Sequence, residues 1–260
     1  MRQTLPVFFA VGLWLAAGLS AEAGTLREVR SKGELRVGIV LAAPWAMRDD
    51  EGEYSGFEIE VARRLAADMD VSVQFLRYDF DGLIRALESG EVDLVAAGLT
   101  ITSERALHVN FSNPYAIGGI GMATNRASTA GVERLEDLDE NFTVAVIQGS
   151  TAANLAPRIL PRARTRSFAT ETAAADALVA GEVDVYLDEE PLPTFLALEH
   201  PDAVDVPVTR PLVESRSGFA VARGDPDFVF FLNAWIEERE ADTWLPTTHQ
   251  YWFKTLQWRN

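Results

Sequence analysis

The sequence predicts an α/β protein in which parallel strands alternate with helices. Three observations carry that prediction. Apolar, β-branched runs recur at residues 34–40, 92–96, 142–147 and 185–187, and they read as buried parallel strands. Between them, apolar residues fall at helical spacing, as in Ile59, Val61, Ala62, Leu65 and Ala66. Up to residue 96 the order is strand, helix, strand, helix, strand, the pattern of helices layered on a parallel sheet.

In chain order, residues 26–31 read as a short helix ended by Lys32 and Gly33, and 34–40 as a buried strand. Ala43-Pro44-Trp45 follows in a loop, and Asp49-Asp50-Glu51-Gly52 makes a polar turn. Residues 54–60 lead into the helix that carries Ile59 and Leu65. Residues 71–76 are a second strand, 80–88 a helix stopped by Ser89-Gly90, and 92–96 a third strand. Residues 116–122 are apolar but glycine-rich. They read as a strand crossing between two halves and flexible enough to hinge, or as an edge strand with packing glycines. Residues 132–139 make a short helix or turn. Residues 142–147 form a strand that runs into Gly149-Ser150-Thr151 and a helix to about Ile159. A further strand at 162–168 puts alternate arginines on a solvated face, and 172–180 is an alanine-rich helix. The strand 185–187 ends in Asp188-Glu189-Glu190. Residues 214–222 return as a second crossing strand. Asp225 and Pro226 then cap and open a helix with Phe228, Leu232, Trp235 and Ile236 on its apolar stripe. Tyr251, Trp252, Phe253 and Trp258 are expected to pack the tail onto the first half.

Composition bounds the function. A chain of 260 residues holds one large or two modest domains. Its 39 acidic and 23 basic residues give a net charge of −16, which argues against nucleic acid or an anionic membrane as partner. With no cysteine, disulfides, thiolate metal sites, a cysteine nucleophile and a lipid-modified cysteine are all excluded. Met1-Arg2-Gln3, the apolar stretch from Leu5 to Leu19 and the small-x-small Ala21-Glu22-Ala23 read as a signal peptide, residues 1–23, cleaved near Gly24. No other stretch is long and apolar enough to span a bilayer. An exported chain without a lipid anchor is expected free in a bacterial periplasm. His108, His200 and His249 lie on different elements, against a histidine triad or zinc site. No cofactor is called for.

The chemistry concentrates in residues 97–115, A-G-L-T-I-T-S-E-R-A-L-H-V-N-F-S-N-P-Y. Gly98 leaves backbone amide and carbonyl free to face a cavity at a strand end. Thr100 and Thr102 bring hydroxyls, and Arg105 follows one turn on. A guanidinium beside hydroxyls and free amides suits a carboxylate, which it meets with two parallel donors. A surface arginine paired with Glu104 or Glu88 fits the same letters. Gly149-Ser150-Thr151 offers amides and hydroxyls at a helix N-terminus, fit for an anionic group or for simple capping. Asp188, Glu189 and Glu190 stand at a strand's C-terminal end, where open α/β sheets bind ligands, or form a solvated acidic turn.

Gly98-Leu99-Thr100, Thr102-Ser103-Glu104-Arg105 and Phe111-Ser112-Asn113-Pro114-Tyr115 match, in order and spacing, a signature of the family 3 extracellular solute-binding proteins. These are the amino-acid-binding components of ABC importers. The segment Gly56-Phe57-Glu58-Ile59-Glu60 is similar to another of the family's patterns, and the resemblance extends over roughly residues 26–253. It implies a periplasmic-binding-protein fold of two α/β lobes joined by two crossing strands. The first lobe is expected at 24–116 and 214–260, the second at 117–213. It implies that Arg105, with Thr100 and the backbone of Gly98, holds the α-carboxylate of a bound amino acid, and that Ser150 and Thr151 close on it from the second lobe. The family's ammonium-holding aspartate falls at Glu189, a departure that leaves the role to Glu189 or Asp188, or else implies a ligand that is not an α-amino acid. Phe80 takes the place of an apolar residue that packs on ligand. Trp45 stands in for an aromatic that this chain lacks at Ala42 and Ala43. No carboxylate follows in that loop until Asp49, so an apolar or neutral ligand side chain is expected. The implied partner is an ABC permease, and a monomer is expected.

Two other readings compete. Periplasmic cyclohexadienyl dehydratases share the fold and need a general acid in a dry cleft, for which Glu189 and Glu190 are candidates. The carboxylate those enzymes carry a few residues on falls near Leu192, which cannot serve. A sensory or accessory module that hands its closed state to another partner has the same sequence.

Overall fold

The computed structural model describes residues 26–255 and Trp258. The expected signal peptide and its cleavage point lie outside the described residues. The first half runs α1 (Leu26–Lys32), β1 (Glu34–Ile39), a small hairpin of β2 (Met47–Arg48) and β3 (Tyr54–Ser55), α2 (Phe57–Asp68), β4 (Ser72–Arg77), α3 (Leu83–Glu88) and β5 (Leu94–Val95). The long strand β6 (Asn110–Asn125) then leads to β7 (Thr143–Ile147), α4 (Thr151–Ile159), β8 (Arg164–Phe168), α5 (Glu171–Val179), β9 (Val185–Glu189), α6 (Leu192–Glu199) and β10 (Val204–Asp205). The chain returns through β11 (Val213–Val221) to α7 (Pro226–Ala241) and α8 (Trp244–Gln250).

Nine strands form one curled sheet in the order β4-β1-β5-β11-β6-β9-β7-β8, with β10 on β6. At one end β4, β1 and β5 are parallel, and at the other β9, β7 and β8 are parallel. The two blocks are joined by β11 and β6, which pair antiparallel from Val213↔Ile120 to Val221↔Asn110. β6 then continues from Ile120 to Thr124 against β9. One strand therefore belongs to both blocks, and it begins at Asn110, six residues before the crossing strand expected at 116–122.

Each block has its own apolar core, which makes the molecule two-lobed. In the first, Leu35, Val37 and Ile39 of β1 pack with Ile59, Val61 and Leu65 of α2, joined by Phe228, Leu232 and Trp235 of α7. In the second, Val144 and Val146 of β7 pack with Ala152 and Ala156 of α4, while Ala145 and Tyr186 meet Ala174 and Leu178 of α5. Fully burying one such aliphatic side chain contributes about 1.5–3 kcal/mol.

Two helices were not expected. α6 opens behind Pro191 with Pro193 in its first turn, and α8 carries Pro246 in its first turn. First-turn N–H groups have no intrahelical acceptor, so proline costs little there. Trp252 and Phe253 pack into the first core as expected. Trp258 does more. Its indole N–H donates to the carbonyl of Trp252 at 2.7 Å, and its ring lies 5.7 Å from that of Phe195 on α6. The tail therefore touches both lobes, not the first alone.

Candidate functional site

A cavity of about 240 Å3 lies between the lobes at the C-terminal ends of β1, β5, β7 and β9. Eight of the nine residues singled out in the sequence line it: Trp45, Phe80, Gly98 and Thr100 from the first lobe, and Ser150, Thr151, Asp188 and Glu189 from the second.

The ninth, Arg105, sits at the edge and closes the gap between the lobes. A 3-10 turn, Arg105–Leu107, begins where Thr102 Oγ1 accepts the Arg105 amide at 3.2 Å. The side chain is buried. Its Nη1 donates to the Thr100 carbonyl at 2.8 Å and to Thr151 Oγ1 at 3.3 Å, and its Nη2 to the Gly149 carbonyl at 3.0 Å. The guanidinium lies 5.2 Å from the Phe80 ring centroid, a cation–π distance. Burial lowers its pKa to about 10, opposed by the charges of Glu104 and Glu189, so it is a cation at neutral pH. It pairs with neither Glu88 nor Glu104, and Glu88 instead meets His108. Of the five N–H donors of a guanidinium, these bonds use three.

Gly98 departs from expectation. Its amide donates to Glu58 Oε1 at 2.7 Å, and its carbonyl accepts from Ser217 Oγ at 3.0 Å. The free amide read from the sequence is thus already spent, and the carbonyl keeps one lone pair. Glycine is needed for another reason. At φ +59, a Cβ would sit 3.2 Å from the Trp45 indole. Trp45 is in turn pinned by Phe57 and Phe253, at ring distances of 5.8 and 4.6 Å, and is a fixed wall.

Glu58 is the residue that sequence reasoning passed over. It is fully buried, and Oε1 takes both the Gly98 amide and the Tyr115 hydroxyl, the latter at 2.7 Å. Oε2 has no partner. Burial raises its pKa to about 7 against those two hydrogen bonds. The signal was present in Gly56-Phe57-Glu58, an acid among core residues.

On the second lobe, Ser150 both lines the cavity and caps α4, its Oγ accepting the Ala153 amide at 3.1 Å. The acidic turn is not solvated. Asp188 is buried and accepts from the Tyr186 hydroxyl and the Glu189 amide, and burial raises its pKa to about 6. Glu189 accepts from Ser215 Oγ. Burial, then the charges of Asp188 and Glu190, push it to about 8 against the pull of Arg105. Glu190 turns away, to Thr194 Oγ1 at 2.9 Å. A further carboxylate comes from α5: Glu171 lines the cavity, and burial and the charge of Asp188 hold it well above the usual carboxylate range. Glu171 supplies a carboxylate that the loop before Asp49 lacks, which removes the ground for expecting a neutral ligand side chain.

The whole of this frame matches the model of bacterial extracellular solute-binding proteins, family 3, over residues 35–255. The chain belongs to that family. Among curated family 3 relatives, the L-cystine-binding protein TcyJ of Escherichia coli (strain K12) is 27% identical over 257 residues, covering 97% of this chain and 95% of that protein. Cyclohexadienyl dehydratase of Pseudomonas aeruginosa is 23% identical, with 97% and 95% covered. Among solved structures, that of the ancestral amino acid-binding protein AncCDT-1, a precursor of cyclohexadienyl dehydratase, superposes with a TM-score of 0.80 at 31% identity. The match covers 88% of this chain and 99% of that one. The family 3 frame accounts for the two lobes, the crossing strands β6 and β11, and a cavity between the lobes.

Proposed function

We infer that the protein captures an amino acid between its lobes, in the periplasm, for uptake through an ABC permease. In this reading residues 1–23 are a cleaved signal peptide, 24–116 with 214–260 make the first lobe, 117–213 make the second, and the mature chain is a monomer. The ligand carboxylate meets the two uncommitted N–H donors of Arg105, the Thr100 hydroxyl, and Ser150 and Thr151 at the start of α4. The ammonium lies against Glu189 or Asp188, with the second lone pair of the Gly98 carbonyl in reach. Phe80 and Trp45 wall the apolar part. A cavity of about 240 Å3 falls below the roughly 300–1,000 Å3 of drug-sized sites and suits one free amino acid.

The observation that carries this reading is the position of Arg105. One guanidinium bonds Thr100 in the first lobe and Gly149 and Thr151 in the second. A carboxylate held there touches both lobes, so it binds the closed state better than the open one and shifts the hinge. Permeases read that closed shape.

The test is a thermal-shift screen of the mature protein against amino acids, dicarboxylates and small amines. A ligand of the folded state raises the melting temperature by mass action. Stabilising hits carry a carboxylate, and Arg105→Ala abolishes their effect. Hits that all lack an acid group defeat the clamp. Leu192 on the cavity wall and the outward-facing Glu190 weigh against dehydratase chemistry. Turnover of prephenate or arogenate by the purified protein would restore that reading.

A further inference from the structure

Carboxylates outnumber cations in the lining of the cavity. Its lining holds four carboxylates, Asp79, Glu171, Asp188 and Glu189, against one cation, Arg77, with Arg105 at the edge. A zwitterionic head group brings one charge of each sign and leaves that imbalance as it was. Asp188 and Glu189 are tied by hydrogen bonds to Tyr186 and Ser215. Among the described residues Glu171 has no hydrogen bond or ion pair, although it stands half-buried on the wall.

The acids are also ordered across the cavity. Gly98, Thr100, Ser150, Thr151 and Glu189 line this cavity alone, whereas Glu171 also lines a second hollow beside it. Glu171 is therefore at the end away from the carboxylate clamp. There, Leu41, Ala42, Glu171, Thr172 and Leu192 are shared with a second interlobe hollow of about 470 Å3, so Glu171 stands at the neck between the two. A ligand with its head group at Arg105 and Glu189 points its side chain at Glu171.

We propose that Glu171 selects a cationic ligand side chain, so that the solute is a basic amino acid whose distal guanidinium or ammonium pairs with Glu171 and Asp188 at the neck of the cavity. This rests on the amino-acid-capture reading above. A half-buried carboxylate with no hydrogen-bond partner is costly when ionised, and a cation of the ligand supplies what the chain withholds. An acidic side chain meets the like charge of Glu171 and Asp188 there.

The experiment is isothermal titration of the mature protein with L-arginine and with L-citrulline, which has nearly the same shape and no charge. Wild type binds arginine about tenfold or more tighter than citrulline, the scale of one charged hydrogen bond. In Glu171→Gln the two bind within about threefold of each other, because arginine weakens while citrulline holds. Glu171→Asp, with a shorter arm, lies between. The wild-type ratio needs no variant and stands even if Glu171→Gln does not fold. Citrulline binding as well as arginine, or a ratio unchanged in Glu171→Gln, overturns the proposal. Binding of neutral or acidic amino acids with no response to arginine or lysine also overturns it, while leaving amino-acid capture intact. If no amino acid binds the folded protein, amino-acid capture fails and the proposal fails with it.

Discussion

At the scale of single residues, buried acids set the behaviour of this protein. Glu58, Asp188 and Glu189 have pKa values raised to about 7, 6 and 8. Each holds its proton more tightly folded than unfolded. Between the ordinary carboxylate range and about pH 8, the folded state therefore binds more protons, and stability falls as pH rises. Their contribution is complete below about pH 4 and is lost through about pH 6 to 8. Glu58 carries the largest purely structural share, because it anchors Gly98 and Tyr115 and faces no cation. A shift from 4.5 to about 7 corresponds to roughly 3 kcal/mol lost between pH 5 and pH 8. Glu58→Gln keeps an acceptor oxygen for the Gly98 amide and the Tyr115 hydroxyl and cannot ionise. Thermal melts at pH 5 and pH 8 are expected to show a smaller drop in Glu58→Gln than in wild type. An equal drop in both would place the slope elsewhere.

At the scale of elements, the glycines of β6 decide between two readings that the letters left open. Gly118 and Gly119 pair with Ser215 and Glu214 of β11, and Gly121 pairs with Asp188 of β9. At Gly119, a Cβ would fall 2.5 Å from both Pro211 Cβ and the Val213 carbonyl. The glycine is there for close approach, and nothing in its conformation marks a hinge. Gly119→Ala is expected to cost about 1–3 kcal/mol, as overpacking does, read as a lower urea midpoint with an unchanged slope. A neutral effect would mean that the segment from Pro211 yields freely. The same strand shows what was legible. Period and composition found β1, β7, β9 and α2, because burial on both faces or on one stripe writes a local pattern. The unity of β6 was hidden, since Pro114 and the change of neighbours near Ile120 look like boundaries. α6 and α8 were hidden by prolines that sit in first turns. The site was legible where a motif holds consecutive residues, as from Gly98 to Arg105. It was not legible where function depends on a distant partner. The bond from the Gly98 amide to Glu58 and the approach of Glu171 to Asp188 cross 40 and 17 positions of sequence.

At the scale of the whole molecule, side chains bridge the lobes at several points beside the crossing strands. Arg105 reaches Gly149 and Thr151, and Gln148 Nε2 donates to Asp81 Oδ2 at 3.3 Å. On the other flank Trp258 stands between Trp252, 5.8 Å away in the first lobe, and Phe195, 5.7 Å away in the second. These contacts exist only when the lobes are together, so each adds to the closed state without touching ligand. An aromatic pair adds about 1 kcal/mol beyond its buried area, or roughly a fivefold change in an equilibrium constant. Removing it leaves the carboxylate clamp whole and makes closure less favourable, and apparent affinity falls with the population of the closed state. Trp258→Ala is therefore expected to bind its amino acid about fivefold more weakly while selecting among ligands as wild type does. Because the contact forms after encounter, the loss belongs in the dissociation rate, with association nearly unchanged. Stopped-flow measurement of both rates separates this from damage to the site. A dissociation rate equal to that of wild type would mean that the tail merely rests on α6, and that Arg105 and the ligand supply closure without it.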